Sequence, residues 1–188
     1  MTLPLDPPND INYEKYTGKN GCATKIWGPK AWDYLFTSII GTYPVSIVTE
    51  EDKILAQYFK RQIHALGHTM PCIFCRRSFQ TFYKELPIDN YTDSRIRMMY
   101  WLYLIKDKVN QKLLHQEEKC WNDEKKRLKL LYHQKLLTRE GYYLAVNKFK
   151  KESFKTIPSP PFVEVLDKYE KSRAICSKKS LSCILPPK

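Results

Sequence analysis

The sequence predicts an all-α protein, a four-helix bundle followed by a basic helical extension. Three observations carry that prediction. Apolar residues recur at helical spacing in four successive segments, and no stretch alternates as a half-buried strand would. Glycine is scarce, at six in 188 residues, while hydrophobic residues make up 43% and aromatics 13%. The segments are joined by short connections, which is how antiparallel bundles are built.

Residues 1–24 read as a flexible lead. A first helix is expected from about Trp27 through Ile40, with Pro29 in its first turn and Ala31, Trp32, Leu35, Phe36, Ile39 and Ile40 as its apolar stripe. Gly41 and Pro44 end it. Thr49 suits the N-cap of a second helix, with Glu50, Glu51 and Asp52 in the first turn. Its buried face is expected to hold Ile54, Leu55, Tyr58, Phe59, Ile63 and Leu66. A third helix starts at Cys72-Ile73-Phe74-Cys75 and stops before Pro87. A fourth opens at Asp93 or Ser94 and runs to about Leu114, with Met98, Leu102, Ile105, Val109 and Leu113 on one face. Trp121 to Phe154 reads as one or two lysine-rich helices interrupted near Gly141. Pro158-Ser159-Pro160-Pro161 is a break, and an amphipathic segment carrying Phe162, Val165, Leu166 and Tyr169 follows. The organisation expected is therefore a lead (1–24), a bundle domain (25–120) and a basic extension (121–188) ending in a cysteine-bearing tail.

The net charge of +12 is unevenly distributed. Residues 121–188 hold sixteen Lys and Arg against seven Asp and Glu, whereas residues 1–120 hold sixteen against thirteen. Such a region can meet nucleic acid, an acidic partner or an anionic membrane, but no nucleic-acid motif accompanies it, and a solvated helical face is the plainer reading. Nucleic acid is not an expected partner. No apolar run reaches the roughly 18 residues of a spanning helix, so no transmembrane segment is expected. Met1 to Asn20 has neither the apolar core of a secretory leader nor the basic amphipathic character of a transit peptide.

The chemistry points to Cys72 and Cys75. Three residues apart at a helix start, both sulfurs fall in the first turn, where unpaired N–H groups and the positive dipole end favour a thiolate. The adjacent Arg76 and Arg77 add positive charge. Such a dithiol suits redox exchange or metal ligation. For metal, His64, His68, Cys72 and Cys75 form H-x3-H-x3-C-x2-C, residue types suited to zinc but in an unusual order with a short central gap. This supports an alternative reading as a zinc-stabilised basic helical protein contacting nucleic acid or acidic partners. A thioredoxin-like setting needs a βαβ context, and the flanks here are helical.

Several ordered pieces favour exchange. Trp27-Gly28-Pro29 with Trp32 and Leu35, Tyr43-Pro44, Pro71-Cys72-x-x-Cys75-Arg76 with Phe79 and Phe82, Ser94-Arg95, Trp101, and Val109-Asn110 with Leu113 together resemble the Erv/ALR family of FAD-linked sulfhydryl oxidases. They span about residues 26–120, in a style closest to members encoded by large DNA viruses. The resemblance implies a four-helix bundle holding FAD, with catalytic Cys72 and Cys75. Cys75 would lie next to the flavin as the charge-transfer thiolate, and Cys72 would exchange with incoming thiols. It implies cofactor contacts at Gly28, Trp32, Phe36, Tyr43, Cys75, Lys106, Asp107, Val109, Asn110 and Lys112. Electrons would pass from thiol-containing protein substrates through the dithiol and FAD to molecular oxygen, giving a protein disulfide and hydrogen peroxide; no metal is implied. A homodimer formed through the first helices is expected, in host cytoplasm or the virion for a viral protein and otherwise in the mitochondrial intermembrane space.

This sequence departs from the family pattern in two places. Phe36 stands where the family usually has His, and Lys106-Asp107-Lys108-Val109-Asn110 stands for His-Asn-x-Val-Asn. Phe36 can stack on an adenine and Lys106 can meet a phosphate, so altered contacts to the nucleotide are expected. Cys120 matches a position that relatives use in a bridge, but Leu136 stands where the partner would be, and a buried inert thiol is the reading adopted. Relatives also carry a second, mobile dithiol that relays electrons; Cys176 with Cys183, and as a rival Cys22, are the shuttle candidates.

Overall fold

Among the described residues six α-helices form in the order α1 (Thr24–Thr42), α2 (Glu50–Thr69), α3 (Ile73–Glu85), α4 (Arg95–His133), α5 (Arg139–Ser153) and α6 (Phe162–Glu170), with a 3-10 turn at Ile88–Tyr91 between α3 and α4. The computed structural model describes Glu14 and residues 21–174. Among the described residues there is no strand beyond one isolated bridge between Ser46 and Ser94. The protein is all-α.

Helices α1 to α4 make the bundle. Its core is built from Leu35, Phe36, Ile39 and Ile40 of α1, Phe59 and Ile63 of α2, Phe79 of α3, and Met98, Trp101, Leu102 and Ile105 of α4. The polar atoms of its aromatics are satisfied: the Trp101 indole donates to the Leu86 carbonyl at 2.9 Å, and the Tyr43 hydroxyl to the Thr92 carbonyl at 2.7 Å. Arg95 Nε donates to the Tyr43 carbonyl at 2.6 Å, so the end of α1 is tied to the start of α4. Thr49 and Asp52 form a reciprocal capping box at the start of α2.

Several expectations need correction. Helix α1 begins at Thr24, so Pro29 sits in its second turn, where the missing N–H leaves the Lys25 carbonyl without its usual helical donor. Ile54 and Tyr58 do not join the buried face of α2 but stand 54% and 60% exposed; Ala56, Phe59, Ile63 and Gly67 line the core instead. Gly67 permits this close packing, because an added Cβ would meet the Phe79 ring at 3.0 Å.

The largest difference lies beyond Leu114. Helix α4 does not stop there but runs unbroken for 39 residues to His133. The break falls at Gln134–Thr138 rather than near Gly141. There Lys135 adopts φ 58°, and amide bonds from Lys135 to the Tyr132 carbonyl and from Leu136 to the Leu131 carbonyl close a Schellman stop. Thr138 then caps α5 by accepting from the Gly141 amide at 3.0 Å, so Gly141 belongs to the first turn of α5. Helices α4 and α5 form a hairpin projecting from the bundle, joined by Trp121 stacked on Phe149 and Tyr132 against Tyr142. Cys120 lies on this hairpin and is exposed, not buried, since only one face of α4 packs on α5.

From α5 the chain returns along α4. Glu117 accepts from the backbone amides of Lys155 and Thr156, Asn110 donates to Ser159 Oγ at 2.9 Å, and the Tyr103 hydroxyl donates to the Pro160 carbonyl at 3.0 Å. This strap lays α6 across α1 and α4. There Phe162 packs on Tyr100 and Tyr103, and Val165 and Tyr169 are buried.

Candidate active site

Cys72 and Cys75 lie at the start of α3, in the wall of an apolar cavity of about 380 Å³. Trp27, Gly28 and Trp32 face it from α1, Leu66 from α2, Phe79 and Phe82 from α3, and Val109, Lys112 and Leu113 from α4. The volume is that of a small-molecule site, and the lining of aromatic and aliphatic side chains with few polar groups is characteristic of one. A wider open groove of about 640 Å³, between α2 and the 3-10 turn, holds Lys53, Lys60, Arg61, His64 and Asp89 but neither sulfur of the dithiol.

Cys72 is the N-cap of α3: its sulfur accepts from the Cys75 amide at 3.3 Å. Thr24 Oγ1 lies 3.4 Å from the Cys75 sulfur. These contacts separate the two thiols. Burial pushes Cys72 up, but hydrogen bonds from the Cys75 side chain and amide, from Thr24 and from the Phe74 amide outweigh it and hold the thiol below its ordinary value. Burial pushes Cys75 up, and the hydrogen bond with Cys72 and the charge of Cys72 add to it, opposed by Thr24 and Lys112. Of the two thiols Cys72 is therefore the one more readily ionised, and Cys75 holds its proton more tightly. The helix start acts as the sequence suggests; the flanking arginines do not. Arg76 is turned to the Met70 carbonyl, Arg77 is exposed, and the cation that acts on Cys75 is Lys112, which donates to Ser78 Oγ.

Gly21 and Cys22, at the end of the lead, are held against the same corner. The Cys22 amide donates to the Pro71 carbonyl at 2.9 Å, and the Trp27 indole donates to the Cys22 carbonyl at 3.3 Å. The cysteine itself is exposed. Gly21 packs so closely that an added Cβ would lie 1.9 Å from the Pro71 carbonyl oxygen. Between the two cysteines, Ile73 is 48% exposed and Phe74, at the cavity mouth, 71%.

The alternative metal set does not assemble. His64 and His68 pack on each other, ring centroids 5.0 Å apart, and face Tyr83 and Gln80, whereas Cys72 and Cys75 face the cavity. Among the described residues no group of three or more His, Cys, Asp or Glu is placed to hold a metal ion. The zinc alternative falls on this geometry.

A family model ties these features together: the Erv1 / Alr family matches residues 29–129. The chain belongs to the Erv1/Alr family. The family is known for FAD-linked sulfhydryl oxidase activity. No curated protein matches the chain significantly. The match contains the dithiol, Trp32 of the α1 wall, the α4 wall of the cavity, and α4 past Cys120; Thr24, Trp27 and Gly28 precede it. Among the described residues no helix is long and apolar enough to cross a membrane.

For an Erv1/Alr protein the cavity suits a flavin ring, being apolar, lined by Trp27, Trp32, Phe79 and Phe82, and bordered by Cys75. Of the residues expected to bind FAD, Gly28, Trp32, Cys75, Val109 and Lys112 line it. The others do not. Tyr43 is in the core, its hydroxyl pushed up to about 12 by burial and by the charge of Asp93. Phe36 is stacked under Tyr169, Asn110 is bonded to Ser159, and Asp107 accepts from Gln111. Lys106 is half-buried beside α6. Sequence reasoning missed Thr24, Leu66 and Ser78. Thr24 lay within the expected lead, 51 residues from the sulfur it meets, and nothing local marks it. Cys176 and Cys183 lie outside the described residues.

Proposed function

We propose that this chain is an FAD-dependent thiol oxidase that introduces disulfides into partner proteins, with oxygen as the final acceptor and hydrogen peroxide as the second product. The observation that carries the reading is a dithiol, its Cys72 thiol lowered and its Cys75 thiol raised, in the wall of an apolar cavity sized for a flavin ring. Bound there, FAD supplies the two-electron sink that no side chain offers.

The chain's own part is thiol–disulfide exchange. A substrate thiolate attacks Cys72 Sγ of the oxidised pair; the Cys72–Cys75 bond breaks and Cys75 leaves as the thiolate. The second substrate thiolate attacks the substrate sulfur of the mixed disulfide, a substrate disulfide forms, and Cys72 is released. Two electrons move from substrate to the pair, and the two substrate protons pass to the reduced pair and to solvent, Cys75 being the first to take one up. Cys72 is the less buried of the two sulfurs and so the one an incoming thiol reaches, while burial favours protonation of Cys75 once it has left. Exposed Ile73 and Phe74 offer an apolar landing beside Cys72. Cys22, held within one residue of the Gly21–Pro71 contact, is the shuttle candidate the described geometry supports.

The test is spectroscopic. The purified full chain should be yellow, its flavin absorbance should bleach with dithiothreitol in the absence of air, and it should return when air is admitted. A colourless protein that takes up no added FAD would overturn the reading.

A further inference from the structure

The cavity wall continues past Trp32 and Val109. One turn along α1 stands Phe36, and three residues back along α4 stands Lys106, each on the face its cavity neighbour uses. Helix α6 covers both. Phe36 is fully buried with its ring flat against Tyr169, centroids 4.7 Å apart and planes within 14°. At that separation no third ring enters between them. The Tyr169 hydroxyl donates to Asp33 at 2.5 Å, and Lys168 reaches the same carboxylate oxygen at 3.2 Å. The strap leading into α6 engages Asn110 and Tyr103. A ligand extending out of the cavity along α1 and α4 would meet the chain's own C-terminal helix.

The charge under α6 fits a displaced anion site. Lys106 is half-buried, its ammonium disfavoured by burial and by the neighbouring Lys168, with Asp33 and Asp107 as the nearby carboxylates. A phosphate placed there would relieve that repulsion. A flavin ring suits a cavity of about 380 Å³, but FAD adds a ribitol, a diphosphate and an adenosine, and an adenosine directed along α1 and α4 meets the stack of Tyr169 on Phe36.

We infer that α6 is a latch over the nucleotide half of the flavin site, and that Tyr169, standing on Phe36, sets the selectivity between FAD and a mononucleotide flavin. The inference rests on the flavin reading above. Affinity for FAD is reduced by the fraction of molecules in which α6 is down, whereas FMN, lacking the adenosine, leaves the stack in place.

The experiment titrates the full chain, stripped of flavin, with FAD and with FMN by calorimetry, for the wild type, Tyr169→Ala and Tyr169→Phe, with helical circular dichroism as the check on folding. Tyr169→Ala should tighten FAD about fivefold or more and leave FMN within about twofold. Tyr169→Phe keeps the stack but loses the bond to Asp33, and should fall between. Tryptic cleavage at Lys168 and Lys171 in the wild type should quicken with FAD and not with FMN. An FAD-to-FMN ratio that ignores Tyr169, or FAD binding weakened by Tyr169→Ala, overturns the latch while leaving the flavin reading intact. Failure of every form to bind either flavin overturns both.

Discussion

Cys72 and Cys75 share a helical turn and differ in what surrounds them. The lowered thiol of Cys72 stays ionised below the ordinary thiol range and loses that charge only as pH falls through its own lower value. The raised thiol of Cys75 ionises only above the ordinary range. Iodoacetamide should therefore label Cys72 first in the reduced protein, with labelling of Cys75 emerging as pH rises. Equal rates at pH 7, read by peptide mass spectrometry, would refute the division of roles. Thr24→Val removes a hydroxyl that stabilises the Cys72 thiolate and should slow its labelling at pH 7 several-fold. Cys72→Ser and Cys75→Ser should each abolish oxidation of dithiothreitol. At this scale the dithiol is legible in the sequence because two sulfurs three residues apart on a helix start define their own environment. Thr24 and Lys112 are supplied by α1 and α4, across the fold, so neither their contact with Cys75 nor the idle position of Arg76 could be read from α3 alone.

Whether an element's ends could be read depends on where their cause lies. The start of α2 is legible because Thr49 and Asp52 cap each other locally. The stop of α4 is not: a lysine in the left-handed region closes it, and the sequence places a glycine, the usual residue there, six positions later. The segment before α1 is the clearest case. It has no periodicity and reads as a loose lead, yet Gly21 and Cys22 dock on Pro71 because Gly21 lacks a side chain at the point of contact. Gly21→Ala would place a Cβ where a backbone oxygen stands, and a backbone oxygen cannot swing aside as a side chain does. The segment must lift, breaking the amide bond to Pro71. Hydrogen exchange of the peptide covering residues 21–27 should quicken while overall helicity holds. Unchanged protection in that peptide would show that the docking is not what the contact implies.

For the whole molecule, the bundle could be read because its helices are consecutive and each has an apolar face. The return of α6 could not: its Phe162, Val165 and Tyr169 pattern marks a helix with something to bury, but the partner, Phe36, is more than 120 residues away in sequence. The same logic applies to a surface that none of the described residues covers. Ile54 and Tyr58 lie one turn apart on α2, and Gln62, another turn on, bonds the Tyr34 hydroxyl of α1 at 3.0 Å. Tyr34 is 59% exposed, so two tyrosines and an isoleucine form one outward apolar stripe across both helices. Tyrosine-rich patches of this kind are enriched in subunit interfaces. We propose that two chains pair through it. A twofold arrangement would put each Tyr58 near the partner's copy of the same stripe, so one charge introduced per chain acts twice. Tyr34→Glu with Tyr58→Glu should convert a particle of twice the chain mass, measured by light scattering after gel filtration, to the single-chain mass. The dithiol faces away into the cavity, so dithiothreitol turnover per chain should persist in the monomer. A wild type that runs at the single-chain mass at tens of micromolar would remove the dimer from this account.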